Sequence, residues 1–151
     1  MKEKKDRVDD ALHATKAAIE EGIVPGGGMA LLYASQVLDL NKNKTTGAYI
    51  VKKACKKPFI QILVNAGYDN TEAEILAAKL LESPIGSGYN IETNEIVNMK
   101  EAGIIDPAKV TRTALENAAS VAGTVLLTEC IIADDPDNKE DNQAGKDLMF
   151  G

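Results

Sequence analysis

Three consecutive glycines, Gly26 to Gly28, lie between two stretches with helical spacing, and they constrain the fold more than any other feature of this chain. A backbone without Cβ atoms can adopt positive φ and can lie very close to a neighbouring segment or a ligand. The helix that follows begins with free N–H groups and a partial positive charge, which suits a phosphate. The alternative is a plain interhelical turn, because glycine is also a common helix stop.

The composition also favours helices. At 151 residues the chain has the length of one domain, and it contains no Trp and only 4% aromatic residues. The core must therefore consist of Ala, Leu, Ile and Val. Such a core favours closely packed helices over a sandwich or barrel, so we expect an all-α fold.

Apolar periodicity predicts helices over residues 3–22, 28–40, 46–65, 71–81 and 107–129. Pro58 predicts a kink, or two short helices that meet there. Thr71 and Glu74 have capping-box spacing. Asp106 followed by Pro107 is typical of an N-cap and a first helical residue.

Short extended segments are predicted towards the C-terminus. Residues 89–97 can form a small hairpin that turns at Thr93-Asn94, and residues 131–133 can form a short strand. The acidic segment 134–151 is expected to be disordered. One apolar stripe on the first helix consists of Val8, Leu12, Thr15, Ile19 and Ile23. On the last helix, the residues expected to point inward are Val110, Ala114, Ala118, Val121, Ala122 and Val125.

Charge and cysteine usage exclude several classes of function. The net charge of −6 argues against nucleic acid as a partner. No run of about 18 apolar residues is present, so no membrane span is expected. Cys55 and Cys130 lack metal-binding spacing and are expected to be buried free thiols.

Several polar residues are candidates for chemistry. Helical spacing turns Asp10 away from the apolar stripe, where it could hold a ligand or simply be solvated; for Asp9 a salt bridge is favoured. Asn90 follows a Gly-Ser-Gly loop and could bind a base edge or stabilise the turn. His13, the sole histidine, has no catalytic partner in the sequence, and no Walker-type phosphate loop is present.

Several long motifs occur together and in order. They are Glu3-Lys4-Lys5-Asp6-Arg7-Val8-Asp9-Asp10-Ala11-Leu12, Val24-Pro25-Gly26-Gly27-Gly28, Gly88-Tyr89-Asn90, Gly103-Ile104-Ile105-Asp106-Pro107 and Ala114-Leu115-Glu116-Asn117-Ala118-Ala119. With these motifs the chain resembles the group I chaperonins, the 60 kDa heat-shock family, from residue 2 to about residue 135.

The resemblance implies that this chain corresponds to one part of a larger chaperonin subunit. Residues 1–133 are similar to the C-terminal part of the equatorial ATPase domain, and 134–151 would be a tail. The family's members are ATP-driven folding chaperones that use Mg²⁺ and K⁺ and assemble as double rings of seven subunits. Co-chaperonin and unfolded clients bind through domains that this sequence lacks. A bacterial cytoplasm is the expected location, with the mitochondrial matrix as the alternative.

The resemblance also implies roles for individual residues. Asp10 matches the aspartate that positions the attacking water, with only an indirect link to the metal; no residue is expected to ligate a metal directly. Backbone contacts to the nucleotide fall on Gly26, Gly27 and Gly28. Contacts to adenine and ribose fall on the set Asn90, Ile91, Glu92, Ile104 and Asp106.

The sequence departs from the family pattern in two places. Ile91 and Glu92 stand where many relatives have small residues, and the family's Asp-Gly-Thr-Thr-Thr phosphate loop is not in this sequence. We therefore expect the isolated chain to hydrolyse ATP poorly or not at all. The alternative is a helical structural module that mediates subunit contacts without nucleotide chemistry.

Overall fold

The computed structural model describes residues 2–38, 45–130 and 132. This part contains six helices, α1 (Lys2–Glu21), α2 (Met29–Val37), α3 (Thr46–Ala54), α4 (Lys57–Asn65), α5 (Asn70–Leu81) and α6 (Ala108–Leu127). It also contains four short strands, β1 (Ile23–Pro25), β2 (Ser87–Asn90), β3 (Glu95–Asn98) and β4 (Ile105–Pro107). The predicted helical fold is confirmed. The predicted hairpin is β2 and β3, with Asn94 at φ 57° before the second strand.

The chain divides into two compact units, residues 1–116 and 117–151. The first unit contains α1 to α5, all four strands and the beginning of α6. The second contains the remainder of α6. No helix in the described residues is long and apolar enough to cross a membrane.

The core of the first unit is formed by α2, α4, α5 and the segment after β3. Its fully or almost fully buried side chains are Met29, Leu32, Phe59, Ile60, Leu63, Ala73, Ala77, Leu80 and Met99. Burying each of the larger side chains stabilises the fold by about 1.5–3 kcal/mol. This core is the support on which the glycine turn and the hairpin rest.

The expected break near Pro58 is present. Helix α3 ends at Ala54 and α4 begins at Lys57, with Pro58 in the first turn of α4, where its missing N–H is not needed. Cys55 lies at the break and is buried, but Cys130 is exposed. The expectation that both thiols are buried was therefore wrong for Cys130.

The capping box of α5 lies two residues before the predicted one. Asp69 is the N-cap, and its N–H donates to the Glu72 carboxylate at 3.1 Å. The Thr71–Glu74 prediction was wrong because two overlapping four-residue segments carry suitable caps, and tertiary packing selects between them.

Strands β1 and β4 form an antiparallel ladder that the sequence did not predict. It pairs Ile23 with Pro107, Val24 with Asp106 and Pro25 with Ile105. Asp106 is thus in a strand, and α6 begins one residue later than predicted, at Ala108. The N-cap prediction for Asp106 was wrong because the ladder holds this segment extended as far as Pro107.

The apolar stripe of α1 is exposed, and so is the face of α6 that was expected to point inward. On α1, Val8, Leu12 and Ile19 are 67%, 66% and 81% exposed. Helix α6 has no buried residue. Spacing shows which residues share a face but not what covers it. The predictions for residues 131–133 and for the tail lie outside the described residues.

Candidate functional site

The glycine turn is attached to the β1–β4 ladder. Gly26 follows β1 directly, and its N–H donates to the Ile104 carbonyl oxygen at 3.0 Å. The Gly26 carbonyl oxygen accepts a hydrogen bond from the Met29 N–H at 3.1 Å, which leads the chain into α2. The turn and the segment that enters β4 are therefore in direct contact.

The three glycines of the turn differ in what surrounds them. A Cβ on Gly26 would lie 3.2 Å from the Ile104 carbonyl, and a Cβ on Gly28 would lie 2.7 Å from the Phe59 nitrogen. Gly27 has a φ of +62°, but the nearest atom to its Cβ position would be the flexible Met99 methyl at 3.4 Å. Gly26 and Gly28 thus serve internal packing, whereas Gly27 leaves its backbone more accessible.

Two adjacent backbone donors lie at the start of α2. Within the described residues, no hydrogen bond uses the N–H of Gly27 or of Gly28. A helix N-terminus carries partial positive charge, and its unpaired N–H groups suit an anionic oxygen. The turn can therefore donate two hydrogen bonds to a phosphate.

Asp106 lies opposite Val24 in the ladder, close in sequence to Ile104. Its side chain is half-buried and makes no hydrogen bond within the described part of the chain. Burial raises the pKa of the Asp106 carboxyl above its usual value. A half-buried carboxylate without a partner is a suitable acceptor for hydroxyl donors of a ligand.

Asn90 ends β2, and its Oδ1 accepts the Glu92 N–H at 2.9 Å. This closes a local turn and leaves the Asn90 amide donors available. Because side chains alternate along a strand, Asn90 shares a face with Gly88. That face packs on the core beside the glycine turn, since a Cβ on Gly88 would lie 3.0 Å from the Met29 Cγ.

The other two predicted residues of the hairpin lie in its turn. Ile91 is half-buried and Glu92 is exposed. Together with Asn90 they form the start of the turn between β2 and β3. The structure therefore groups the predicted nucleotide residues into two clusters, one at the ladder and one at the hairpin tip.

Asp10 lies apart from both clusters. It is exposed on α1, and the twelve residues from Asp10 to Glu21, where the helix ends, span roughly 18 Å. Asp9 and His13 are exposed as well. In the described part of the chain, no group of three or more His, Cys, Asp or Glu side chains could hold a metal ion.

A pair of ion pairs at the base of the ladder was missed by the sequence reasoning. Arg112 donates to Glu21 at 2.7 and 3.0 Å, and Lys109 contacts Glu20. The Arg112 hydrogen bond lowers the pKa of Glu21, and the Lys109 hydrogen bond lowers that of Glu20. The Glu20-Glu21 doublet and the Lys109 to Arg112 spacing of one helical turn were the available signals.

A cavity of about 280 Å³ lies between the ladder and the base of the hairpin. It is lined by Ile23, Val24, Pro25, Ile85, Gly86, Asn98, Lys100 and Ile105. Lys100 is its only charged side chain. This opening gives a ligand at the ladder a partly apolar wall.

Comparison with known proteins relates this geometry to a family. Residues 1–136 match the family described as the TCP-1/cpn60 chaperonin family. The chain is also similar to the crystal structure of a group III chaperonin in the open state, with a TM-score of 0.65 and 32% sequence identity. That match covers 77% of this chain and 25% of the other, so the chain spans about a quarter of that chaperonin's length. With nearly all of its residues matched, this chain belongs to the TCP-1/cpn60 chaperonin family.

Proposed function

We propose that this chain forms part of the nucleotide site of an ATP-dependent, protein-folding chaperonin. One observation supports this above all. The β1–β4 ladder joins the glycine turn to the segment that carries Ile104 and Asp106, and two N–H groups of the turn make no hydrogen bond to any described residue. An anion site and a hydroxyl acceptor on one ladder fit the phosphate and ribose of a nucleotide.

Each residue has a distinct proposed role. Gly27 and Gly28 donate backbone hydrogen bonds to a phosphate oxygen, and Gly26 holds the turn against Ile104. Asp106 accepts hydrogen bonds from the ribose hydroxyls, and Ile104 contacts the same part of the ligand. Asn90, with Ile91 and Glu92, contacts the adenine and the ribose.

Asp10 is proposed to act in hydrolysis rather than in binding. A carboxylate can orient the attacking water in phosphoryl transfer, which proceeds mainly through positioning and charge stabilisation. Its exposure on α1 leaves it free to face a nucleotide. In the family this role depends on further segments, including the Asp-Gly-Thr-Thr-Thr loop that this sequence lacks.

Mg²⁺ and K⁺ are part of the proposed reaction, where they would offset the charge of the phosphates. In the described part of the chain, no three or more His, Cys, Asp or Glu side chains lie close enough together to hold a metal ion. Asp10 alone would supply a single carboxylate, which is too few ligands for a metal site. We therefore assign no metal-binding step to this chain.

Nucleotide binding is tested by titration calorimetry of the chain with Mg-ATP and Mg-ADP. The Gly27→Asp variant places a carboxylate beside the proposed phosphate donors and should abolish binding. Gly22→Asp is the matched control, because Gly22 also has positive φ and has no atom within 4 Å of its Cβ position. Equal binding by wild type and Gly27→Asp would contradict the proposal.

Hydrolysis is tested separately from binding. The chain alone should turn over ATP poorly or not at all, and adding the family's N-terminal equatorial segment should restore turnover. In the complete protein, Asp10→Ala should block hydrolysis and largely spare binding. Hydrolysis by this chain alone at the rate of an intact chaperonin would show that the missing loop is not needed.

The wider setting is proposed from the resemblance. We propose membership of group I, assembly into double seven-membered rings, and action on unfolded clients with a co-chaperonin through other domains. A bacterial cytoplasm is the proposed location, with the mitochondrial matrix as the alternative. Electron microscopy of the complete protein would test the ring.

A second candidate function is a structural module that mediates helix contacts. The exposed apolar face of α1, with Val8, Leu12 and Ile19, favours it. Under this alternative the chain self-associates, Leu12→Lys abolishes self-association in sedimentation velocity, and Asp10→Ala changes nothing measurable. Nucleotide binding that depends on Gly27 would exclude the alternative as a complete account.

A further inference from the structure

A hydrogen-bonded chain of three side chains lies at the tip of the hairpin. The Tyr89 and Tyr68 hydroxyl oxygens are 2.9 Å apart, and the Tyr68 hydroxyl donates to the Asn94 Oδ1 at 2.6 Å. The Tyr89 hydroxyl also lies 3.5 Å from the Asn94 Oδ1, at the limit of a hydrogen bond. The much shorter Tyr68 contact favours Tyr68 as the donor to Asn94, and because each hydroxyl has one proton, Tyr89 then donates to Tyr68. The two rings also pack edge to face, with centroids 6.0 Å apart.

Backbone geometry holds the middle member of this chain, Tyr68, and one of its ends, Asn94. Tyr68 follows Gly67, whose φ of +97° ends α4, and the Tyr68 N–H donates to the Leu63 carbonyl at 3.1 Å. This arrangement is a Schellman motif, which fixes the residue after the glycine against the helix. Asn94 has a φ of 57°, a left-handed conformation that asparagine tolerates better than most residues.

This hydrogen-bonded chain connects the core to the residues that are proposed to contact the adenine base. Tyr68 is anchored at the end of α4, whereas Asn94 closes the turn that contains Ile91 and Glu92. The Tyr68 to Asn94 hydrogen bond therefore joins the ends of two loops that are 26 residues apart in sequence. A cavity of about 440 Å³ opens beside it, lined by Ala66, Gly67, Tyr68, Glu72, Ile91 and Asn94.

We propose that Tyr68 and Asn94 are positioning residues for base recognition: their hydrogen bond holds the hairpin turn so that Asn90, Ile91 and Glu92 are presented to the adenine. This inference rests on the proposed nucleotide site. The Asn90 Oδ1 to Glu92 N–H bond orders the first half of the turn, and the Tyr68 to Asn94 bond orders its second half.

The test separates base contacts from phosphate contacts. Calorimetry compares Mg-ATP with magnesium tripolyphosphate, which has the phosphates but no ribose or base. Tyr68→Phe and Asn94→Gly remove the hydrogen bond, and Asn94→Gly keeps the positive φ. Each should weaken ATP binding roughly fivefold to tenfold and leave tripolyphosphate binding unchanged.

Two controls distinguish positioning from general destabilisation. Asn94→Asp keeps an acceptor oxygen for the Tyr68 hydroxyl and should retain most of the ATP affinity. Tyr33→Phe removes a hydroxyl that donates to the Ser87 carbonyl at 2.7 Å, at the other end of the hairpin. It should leave the ratio of the two affinities unchanged.

The outcomes separate this inference from the proposed function. Suppose that Gly27→Asp abolishes binding of both ligands, whereas Tyr68→Phe weakens binding of both ligands to the same extent or leaves binding of both unchanged. The positioning role is then wrong and the nucleotide site stands. If wild type binds neither ligand, or Gly27→Asp binds both as wild type does, both proposals are wrong. Selective loss of ATP affinity in Tyr68→Phe and Asn94→Gly, restored in Asn94→Asp, supports both.

Discussion

Gly28 lies directly beneath the backbone of Phe59, so close that a Cβ on Gly28 would be 2.7 Å from the Phe59 nitrogen and 2.9 Å from its Cα. The start of α2 is thereby seated against the first turn of α4. Phe59 itself is buried and belongs to the core. The glycine turn is thus attached to the core on one side and to the β1–β4 ladder on the other.

Gly28→Ala should destabilise the fold strongly. The substitution places a Cβ into Phe59 backbone and also forces alanine into a φ of +78°. We expect a loss of at least about 2 kcal/mol in the free energy of unfolding by urea. Gly47→Ala is the control, because Gly47 lies in α3 with open space around it, and the change should be neutral or stabilise by up to about 1 kcal/mol. Equal effects of the two substitutions would contradict the packing argument.

Asp106 should make stability fall as pH rises. Burial raises its pKa in the folded state above the ordinary 3.8, so between the two values the folded chain binds more protons than the unfolded chain. The stability it contributes is present below the unfolded pKa and is lost as pH rises through the folded pKa. In urea unfolding, Asp106→Asn should therefore gain stability relative to wild type as pH rises from the ordinary value of 3.8 through the raised pKa of Asp106.

Asp106→Asn should weaken nucleotide binding even though it stabilises the fold, because the ribose hydroxyls lose a charged acceptor. Asp9→Asn reports the effect of removing an exposed carboxylate and is the control. A stability difference between Asp106→Asn and wild type that does not change with pH would show that burial of Asp106 has no energetic consequence.

Arg112 should control the titration of Glu21. Its hydrogen bonds lower the pKa of Glu21 from the ordinary 4.5, so this pair's stabilisation is present above that value and is lost as pH falls through the lowered pKa. In carboxyl-detected NMR titration, Arg112→Met should return the Glu21 pKa towards 4.5. Lys109→Met should do the same mainly for Glu20. A Glu21 titration that is the same in wild type and Arg112→Met would disprove the pairing.

Glu72 should contribute to stability as part of the α5 capping box. Glu72→Ala leaves the Asp69 N–H without its acceptor at the start of the helix, so we expect a loss of about 0.5–1 kcal/mol in thermal or urea unfolding. Glu74→Ala changes the same residue type one half-turn later and should stay within about 0.5 kcal/mol of wild type. A larger effect at Glu74 would favour the box that the sequence spacing predicted.

Local patterns predicted the parts of this fold that depend on local physics. The break at Pro58, the helix end at Gly67 and the hairpin turn near Asn94 follow from backbone restrictions that a few neighbouring residues impose. The motifs around Asp10, Gly26 to Gly28 and Asp106 were sufficient to predict the chaperonin family, which the family match confirms. The roles of the individual site residues remain predictions.

Features that depend on distant segments were decided only by the tertiary structure. A three-residue ladder such as β1–β4 has too few residues to show a period. It forms because Ile104 and Gly26, which are separated by 77 intervening residues, meet in the folded chain. Because of the same contact, Asp106 lies half-buried in strand β4 and not at the N-cap of α6. Periodicity likewise identified the apolar faces of α1 and α6. Whether such a face is covered depends on which other segment packs against it, and the spacing of residues within the helix contains no information about that segment.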